Sequence, residues 1–147
     1  MEEANDGYFE YMGSLFALEI EGVEIGRFTG VSGLGYDTEV VEFQDTLLSG
    51  KIVTRKRPGR VKYKDITLKR GLSEDNTLVE WYQTVLDGAV ERHNGSIIMY
   101  GTAGEEVGRW NFENAWISSW TASDMDAGAD EIVIEEITIV HEYLERV

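Results

Sequence analysis

Few residues of this chain have the types and spacing that catalysis needs. There are two histidines, His93 and His141, and no cysteine. His141 begins the run His-Glu-Tyr-Leu-Glu, which resembles the start of a zinc-protease helix, but Glu145 stands where the second histidine ligand belongs. The β-branched run just before it, residues 132–140, favours a strand over the helix that this ligand spacing requires. We therefore predict no metal site at His141.

One acidic loop offers oxygen ligands for a cation. Its carboxylates belong to Asp124, Asp126, Asp130 and Glu131. The order of ligands in an EF-hand is not met, because Gly128 falls at a ligand position and Ala129 at the position of the required glycine. We interpret the loop as a solvated acidic turn, with a weak cation site as the alternative.

The glycine-rich segment 30–35 lacks a phosphate-binding motif. Gly30, Gly33 and Gly35 do not have the spacing of a dinucleotide-binding loop, and no helical pattern follows them. The absence of cysteine also excludes disulfides and thiolate metal sites. We therefore predict that the protein is not an enzyme and that it uses no cofactor.

Charge is distributed very unevenly along the chain. Residues 51–70 contain nine of the thirteen basic residues and one acidic residue, a net charge of +8. Because the whole chain carries −15, the rest of it carries −23. Such a polarised protein attracts copies of itself in a few orientations, or binds a polyanion through its basic stretch. The basic residues are Lys51, Arg55, Lys56, Arg57, Arg60, Lys62, Lys64, Lys69 and Arg70.

Nucleic acid is the less favoured partner of this basic stretch. Lysine and arginine neutralise phosphates, but Tyr63 is the only aromatic residue in 51–70 and provides no stacking platform. The acidic remainder would also repel a polyanion. Self-association is therefore the better interpretation of the charge pattern.

Strand patterns occupy most of the chain from Ser14 onward. Apolar and polar residues roughly alternate in 15–20 and 23–28, and again in 36–43, where a change of parity at Val40 indicates a bulge. The segment 44–60 is polar and basic and contains the only proline, which favours a projecting loop or hairpin. Further strands are predicted at 61–70, 96–100, 107–115 and 132–143.

One helix is predicted from a single apolar stripe with the helical period. Thr77 and Glu80 have the spacing of a capping box, and Gly88 is placed to end the helix. We expect the stripe to pack on the strands and the opposite face to be exposed. The stripe consists of Leu78, Trp81, Tyr82, Val85 and Leu86. The outward residues are Val79, Glu80, Gln83, Thr84 and Asp87.

Length and composition predict one globular domain. The chain has 147 residues, of which 42% are hydrophobic. We divide it into an acidic N-terminal arm, 1–13, and a single domain, 14–147, from which the basic loop 44–60 projects.

No run approaches the roughly 18 apolar residues of a membrane span, and the acidic start is not that of a secretory signal. We expect synthesis in the cytoplasm and no membrane anchoring.

The predicted fold is mainly β, a β-sandwich or partly open barrel with one flanking α-helix.

Several short motifs, in this order and spacing, resemble the inner tube proteins of contractile phage tails and of phage-tail-like injection systems. They are Phe28-x-x-Val31-Ser32-Gly33-Leu34, Val40–Phe43, Pro58-Gly59, Ile66–Gly71, Leu78-x-x-Trp81, Trp110–Trp116 and Ile132–Ile139. The arm before Ser14 and the strongly basic segment 45–57 depart from the family pattern.

The resemblance implies a β-sandwich with one helix on its flank and a structural function. Family members form hexameric rings whose strands join into a barrel around a lumen, and the rings stack head to tail into a rigid tube. A contractile sheath surrounds the tube and drives it through a target envelope. Baseplate or hub and terminator proteins are the implied partners at the ends, and the lumen carries protein cargo or DNA.

These implications lead to three expectations about sites. Successive rings should be held together by Lys51, Arg55, Lys56, Arg57 and Arg60, which would meet the acidic surface of the next ring. Carboxylates should line the lumen, with Asp37, Glu39 and Glu42 as candidates. The exposed face of the helix should be available to a sheath.

Two other classes of function remain open at this stage. A homologue of the tube next to the baseplate or at the terminus would share the motifs but form a single ring. A carbohydrate-binding β-sandwich would use exposed aromatic residues, with calcium held by the acidic loop.

Overall fold

The computed structural model describes residues 15–124, 127–128 and 133–147. The predicted arm, 1–13, lies outside these residues. Ten strands and one helix are present in the described part of the chain. They are β1 (Leu15–Ile20), β2 (Val23–Phe28), β3 (Gly30–Ser32), β4 (Tyr36–Thr46), β5 (Ile52–Tyr63), β6 (Ile66–Gly71), α1 (Thr77–Leu86), β7 (His93–Tyr100), β8 (Glu106–Ala122), β9 (Ile134–Val140) and β10 (Tyr143–Arg146).

Strand β8 organises the body of the protein because its two halves pair with different strands. The first half pairs with β7 on one side and with β10 on the other, whereas the second half, from Trp116, pairs with β9. Between the halves, Asn114 has a φ of 53°, and its neighbour Glu113 is exposed like Asn114 itself. The strands follow the order β2-β1-β7-β8-β9-β6-β3, and the sheet does not close into a barrel. The predicted mainly β fold is confirmed.

The core lies inside this curled sheet and is built mostly from the inward positions of alternating strands. β6 and β9 show the period clearly, since every second residue is buried. Each large apolar side chain contributes about 1.5–3 kcal/mol on burial. The core includes Leu18, Phe28, Ile66, Leu68, Ile97, Phe112, Ile117, Ile137, Ile139 and Leu144.

The helix packs on the core along most of the predicted stripe. Leu78 and Trp81 are buried, and Tyr82 is half-buried against the core. Val85 is half-buried too, but Leu86 is 62% exposed, so its assignment to the helix core was wrong. Leu86 is the last helical residue and lies about 80° around the axis from Leu78, at the edge of the stripe.

The helix begins differently from the prediction. Asn76 is the N-cap and makes no side-chain capping hydrogen bond, so the proposed capping box is wrong. Thr77 is the first helical residue, and its amide and hydroxyl donate to Asp75 Oδ1 over 3.0 and 2.7 Å. The predicted end is confirmed, because Gly88 has a φ of 79° and its amide donates to the carbonyl of Val85.

Two predicted strands are each divided by a corner. The strand expected at 61–70 ends as β5 at Tyr63 and resumes as β6 at Ile66, and the strand expected at 132–143 is β9 followed by β10. The β5–β6 and β9–β10 connections contact each other, since His141 Nε2 donates to the carbonyl of Lys64 over 2.8 Å. Each connection consists of two polar residues between two strands. They are Lys64 and Asp65 in the first connection and His141 and Glu142 in the second.

Candidate assembly surface

The largest exposed feature is a long two-stranded ribbon. Strands β4 and β5 pair with each other and with no other described strand. We call β4, β5 and their connecting turn, residues 36–63, the ribbon. Eleven residues at about 3.3 Å each give it a length of about 36 Å. The predicted projecting segment 44–60 forms most of its outer part. In the two strands, all residues except Val41, Val53 and Tyr63 are exposed.

The pairing of the two strands sorts the ribbon side chains onto two faces, because opposed residues point the same way. A bulge places Gly59 and Arg60 opposite Glu39 and keeps the faces in register on both sides of it. The charged face carries Asp37, Glu39, Val41, Phe43, Asp45, Val53, Arg55, Arg57 and Lys62. The apolar face carries Tyr36, Thr38, Val40, Glu42, Gln44, Thr46, Ile52, Thr54, Lys56, Pro58, Val61 and Tyr63.

Part of the basic charge is neutralised within the subunit. Arg55 Nε lies 2.8 Å from Asp45 Oδ2, and Lys56 Nζ lies 3.8 Å from Glu42 Oε1. Sequence analysis assigned both basic residues to the contact between rings, and their partners within the ribbon were not predicted. The basic ribbon residues without an ion pair in the described part of the chain are Lys51, Arg57, Arg60 and Lys62.

The three candidate lumen carboxylates do not share a face. Asp37 and Glu39 lie on the charged face, whereas Glu42 lies on the apolar face beside Lys56. A single wall can therefore present Asp37 and Glu39 together but not Glu42. The same wall would also present Arg57 and Lys62, so its charge is mixed.

An aromatic cluster joins the base of the ribbon to the body. The ring of Tyr63 lies 5.6 Å from that of Tyr36, 5.8 Å from that of Tyr143 and 5.9 Å from that of His141. Tyr63 also packs against the core. The hydroxyl of Tyr143 donates to Glu145 Oε2 over 2.7 Å, and this bond raises the pKa of Tyr143 to about 12. Through this cluster the apolar face of the ribbon continues into the core.

The tip of the ribbon presents two leucines that sequence analysis did not single out. Leu48 is fully exposed and Leu47 is 37% exposed. The turn is fixed by two backbone bonds, from Leu47 N to Lys51 O and from Gly50 N to Leu47 O, both 2.8 Å, and Gly50 has a φ of 86°. The signal in the sequence was the pair of adjacent leucines directly before the turn residues Ser49 and Gly50.

Arg70, counted in the basic block, is not a surface residue. Its side chain is buried, and Nε lies 3.4 Å from Glu135 Oε2. The guanidinium stands 5.0 Å from the centre of the Phe28 ring, and Trp120 Nε1 donates to the other oxygen of Glu135 over 3.0 Å. No described group bonds to Arg70 Nη2. This pair holds strands β2, β6, β8 and β9 together and was not predicted.

The outer face of the helix forms a second exposed surface. Val79, Glu80, Gln83 and Asp87 are exposed as expected, but Thr84 is half-buried. Its hydroxyl donates to the carbonyl of Trp81 over 2.7 Å and accepts from the amide of Glu91. The surface is therefore acidic with a small apolar part.

The described residues hold no group of three or more side chains that could bind a metal ion. Of the predicted acidic loop, Asp126, Asp130 and Glu131 lie outside the described residues. His93 packs against Trp81, with ring centres 5.4 Å apart, and contacts Glu21 and Glu91.

Nowhere in the described part of the chain is a helix both long enough and apolar enough to span a membrane.

The described part of the chain is thus a mainly β domain with one docked helix and a two-stranded ribbon that pairs with no other described strand. The chain belongs to the family of the T4-like virus tail tube protein gp19, whose profile matches residues 13–145. The predicted family is thereby confirmed, and the chain is a structural tube subunit. A comparison with curated proteins returns no match.

Solved structures of contractile injection systems are similar to this chain. One is a chain of the extended sheath–tube complex of PVC, an extracellular contractile injection system, with 28% identity, a TM-score of 0.74 and coverage of 90% of this chain and 87% of that one. A chain of the anti-feeding prophage tube-terminating cap gives the same four values. A crystal structure of an Hcp protein, 16% identical with a TM-score of 0.54 and coverage of 88% and 89%, shares the fold.

Proposed function

We propose that this protein forms hexameric rings that stack into the inner tube of a contractile tail or injection system. The tube is a passive conduit, and contraction of a sheath drives it through a target envelope. Membership of the tail tube family carries this proposal. Neither a carbohydrate-binding module nor a small enzyme is favoured by the comparisons or by the site, and the subunit acts without catalysis or cofactor.

The partners follow from the relatives. A similar chain occurs in a sheath–tube complex, and others occur in a cap and in a baseplate. We assign a sheath to the outside of the tube and terminator and baseplate proteins to its ends. The exposed helix face, with Glu80, Gln83 and Asp87, is available to the sheath. The lumen would carry protein cargo or DNA, and the subunit would be made in the cytoplasm without membrane anchoring.

The ribbon supplies the contact between rings in this proposal. It extends about 36 Å and carries Lys51, Arg57 and Arg60 without ion-pair partners in the described part of its own chain. The rest of the subunit outside residues 51–70 carries −23. A head-to-tail contact between unlike surfaces does not close on itself and therefore produces a filament.

Electron microscopy of the purified protein at high concentration tests the function directly. We expect rings and tubes without any added cofactor. Lone rings of one size would instead support a specialised ring next to the baseplate or at the terminus. A species that stays monomeric in light scattering, even when co-expressed with a sheath protein, would contradict the proposed function.

A further inference from the structure

The apolar face of the ribbon is exposed among the described residues. Val40 is 62% exposed, Ile52 61%, Tyr36 53% and Val61 43%. All four lie on this one face, which a single ion pair interrupts. Contiguous apolar surface of this kind marks an interaction site in a soluble protein.

The N-terminal arm, residues 1–13, has a composition that complements the ribbon. It contains no lysine or arginine, and its four carboxylates give it a side-chain charge of −4. Its second half contains three aromatic residues, Tyr8, Phe9 and Tyr11. Apolar surface gains about 25 cal/mol for each Å² that leaves water. The arm therefore combines negative charge with a segment that gains free energy on a protein surface. The carboxylates belong to Glu2, Glu3, Asp6 and Glu10.

The arm is an addition to the shared tube domain. The tail tube profile begins at residue 13, so nearly all of the arm precedes the part of the chain that the family shares. A role of the arm is therefore a property of this chain beyond its tube domain.

Charge selects the ribbon as the surface that attracts the arm. Lys51, Arg57, Arg60 and Lys62 have no ion-pair partner in the described part of the chain. Residues outside 51–70 carry −23, of which the arm accounts for −4, so the remaining −19 repels the arm. The ribbon combines unpaired cations with exposed apolar surface, which are the two features that the arm complements.

The arm is long enough to reach the ribbon of its own chain. Thirteen extended residues span about 43 Å, whereas a domain of this length has a radius of gyration of about 15 Å. Tethering also gives the arm an effective concentration on the order of 1 mM at its own ribbon, far above the concentration of other copies in dilute solution. Before assembly, the arm's own ribbon is therefore its preferred partner.

We propose that, in the unassembled subunit, the arm binds its own ribbon with Tyr8, Phe9 and Tyr11 on the apolar face and its carboxylates near the unpaired cations. The arm is then a cap that other copies must displace before they contact the ribbon. Assembly is thereby delayed until the subunit concentration is high. The binding of the arm stands independently of the proposed tube function, whereas its effect on assembly rests on that function.

Two valines provide a matched test, because the protein contains no cysteine. Val40 and Val23 are 62% and 63% exposed, and Val23 lies in β2, outside the ribbon. Val40→Cys and Val23→Cys subunits are each treated with a small neutral maleimide, at a concentration where sedimentation shows monomers. Each rate is divided by the rate of the same variant unfolded in urea. An effective concentration of about 1 mM and an intrinsic Kd of about 0.1 mM would slow the thiol at position 40 about tenfold relative to that at position 23.

A change in the arm shows whether the arm causes this protection. With Tyr8→Ser, Phe9→Ser and Tyr11→Ser added, both thiols should react at nearly equal rates, because the two valines are almost equally exposed. Equal rates with the natural arm would overturn the proposal. So would protection at position 40 that persists in the altered arm, or a protein that is assembled at every concentration.

Tube formation gives a second measurement, in proteins without an introduced cysteine. If about one subunit in ten has a free ribbon, the apparent affinity between copies falls about tenfold. The protein with the altered arm should therefore form tubes, followed by light scattering, at an about tenfold lower concentration than the wild type. An unchanged or higher threshold would contradict the capping role. Protection at position 40 in a protein that never forms tubes would refute the tube function and leave the binding of the arm in place.

Discussion

The most consequential single interaction in the described chain is the buried pair of Arg70 and Glu135. Side-chain exposure is 9% for the arginine and 2% for the glutamate. Burial of two charges costs much of what their attraction returns, so such a pair adds little net stability. Removal of one partner is different, because it leaves the other charge buried without compensation. We therefore expect the pair to fix how β6 and β9 align more than to add net stability.

Glu135→Gln should lower the free energy of unfolding by about 3–5 kcal/mol, because Arg70 would keep its charge in the interior. The next residue provides a matched control. Glu136 pairs with Lys69 at 3.7 Å on the surface, with side chains 43% and 53% exposed. Glu136→Gln should change stability by about 0.2–1 kcal/mol. Urea unfolding followed by circular dichroism measures both, and equal losses would show that the buried pair has no special role.

Sequence analysis could not find this pair. Arg70 follows Lys69 in a basic run, and the pattern gives no sign that one of these two residues turns inward. The alternation of β6 decides it, since Ile66, Leu68 and Arg70 share the buried face. The change of faces between Tyr63 and Ile66 is visible in the sequence, but the pattern does not show that the face of Ile66 and Leu68 stays buried as far as Arg70.

Among the elements, the helix was the most predictable and the long strand β8 the least. The helix was recognisable because its stripe and its terminal Gly88 are local signals. The change of partners in β8 near Asn114 depends on its pairing with β7, β9 and β10, and no pattern within residues 106–122 shows which strand pairs with which half. The predicted strand 107–115 therefore stopped where the real strand only changes its partners. The separate ends of β5 and β9 were missed for the same reason.

Docking of the helix predicts a large effect at Trp81. Its side chain is buried, its Nε1 donates to the carbonyl of Glu91 over 2.9 Å, and its ring contacts that of His93. Trp81→Ala should lower the free energy of unfolding by about 3–5 kcal/mol through loss of packing. Leu86→Ala, from the same predicted stripe, should change it by less than about 0.5 kcal/mol because Leu86 is exposed. Denaturant melts that show equal losses would mean that the stripe packs differently.

For the molecule as a whole, we propose that the ribbon determines how copies meet. The sequence predicted a basic, projecting segment. It did not predict how the charges are distributed over the two faces, because that distribution depends on the strand pairing and on the bulge opposite Glu39. The pairing also neutralises Arg55 with Asp45 and Lys56 with Glu42. A contact between rings therefore depends on fewer basic residues than the count along the chain suggested.

Reversal of the unpaired charges should shorten the tubes without unfolding the subunit. Lys51→Glu, Arg57→Glu and Arg60→Glu together leave both ribbon ion pairs in place. One exposed ion pair contributes only about 0.2–1 kcal/mol, but in the proposed stack each is repeated around the ring, so the sum would decide whether rings stack. We expect separate rings or short tubes in electron micrographs and a circular dichroism melt close to that of the wild type.

The control reverses three exposed arginines outside the basic stretch, Arg27, Arg92 and Arg146. Because Arg27 pairs with Glu24 and Arg146 lies over the Trp110 ring, a circular dichroism melt of this variant checks that the subunit stays folded. Because each reversal changes the charge by −2, both triple variants carry −21 instead of −15. A general effect of net charge would shorten both sets of tubes equally, whereas a ribbon contact shortens only the first. Salt gives an independent check, because screening over about 3 Å at 1 M, against about 8 Å at physiological ionic strength, should also shorten wild-type tubes. Full-length tubes from the ribbon variant would show that the charges of Lys51, Arg57 and Arg60 do not hold successive rings together.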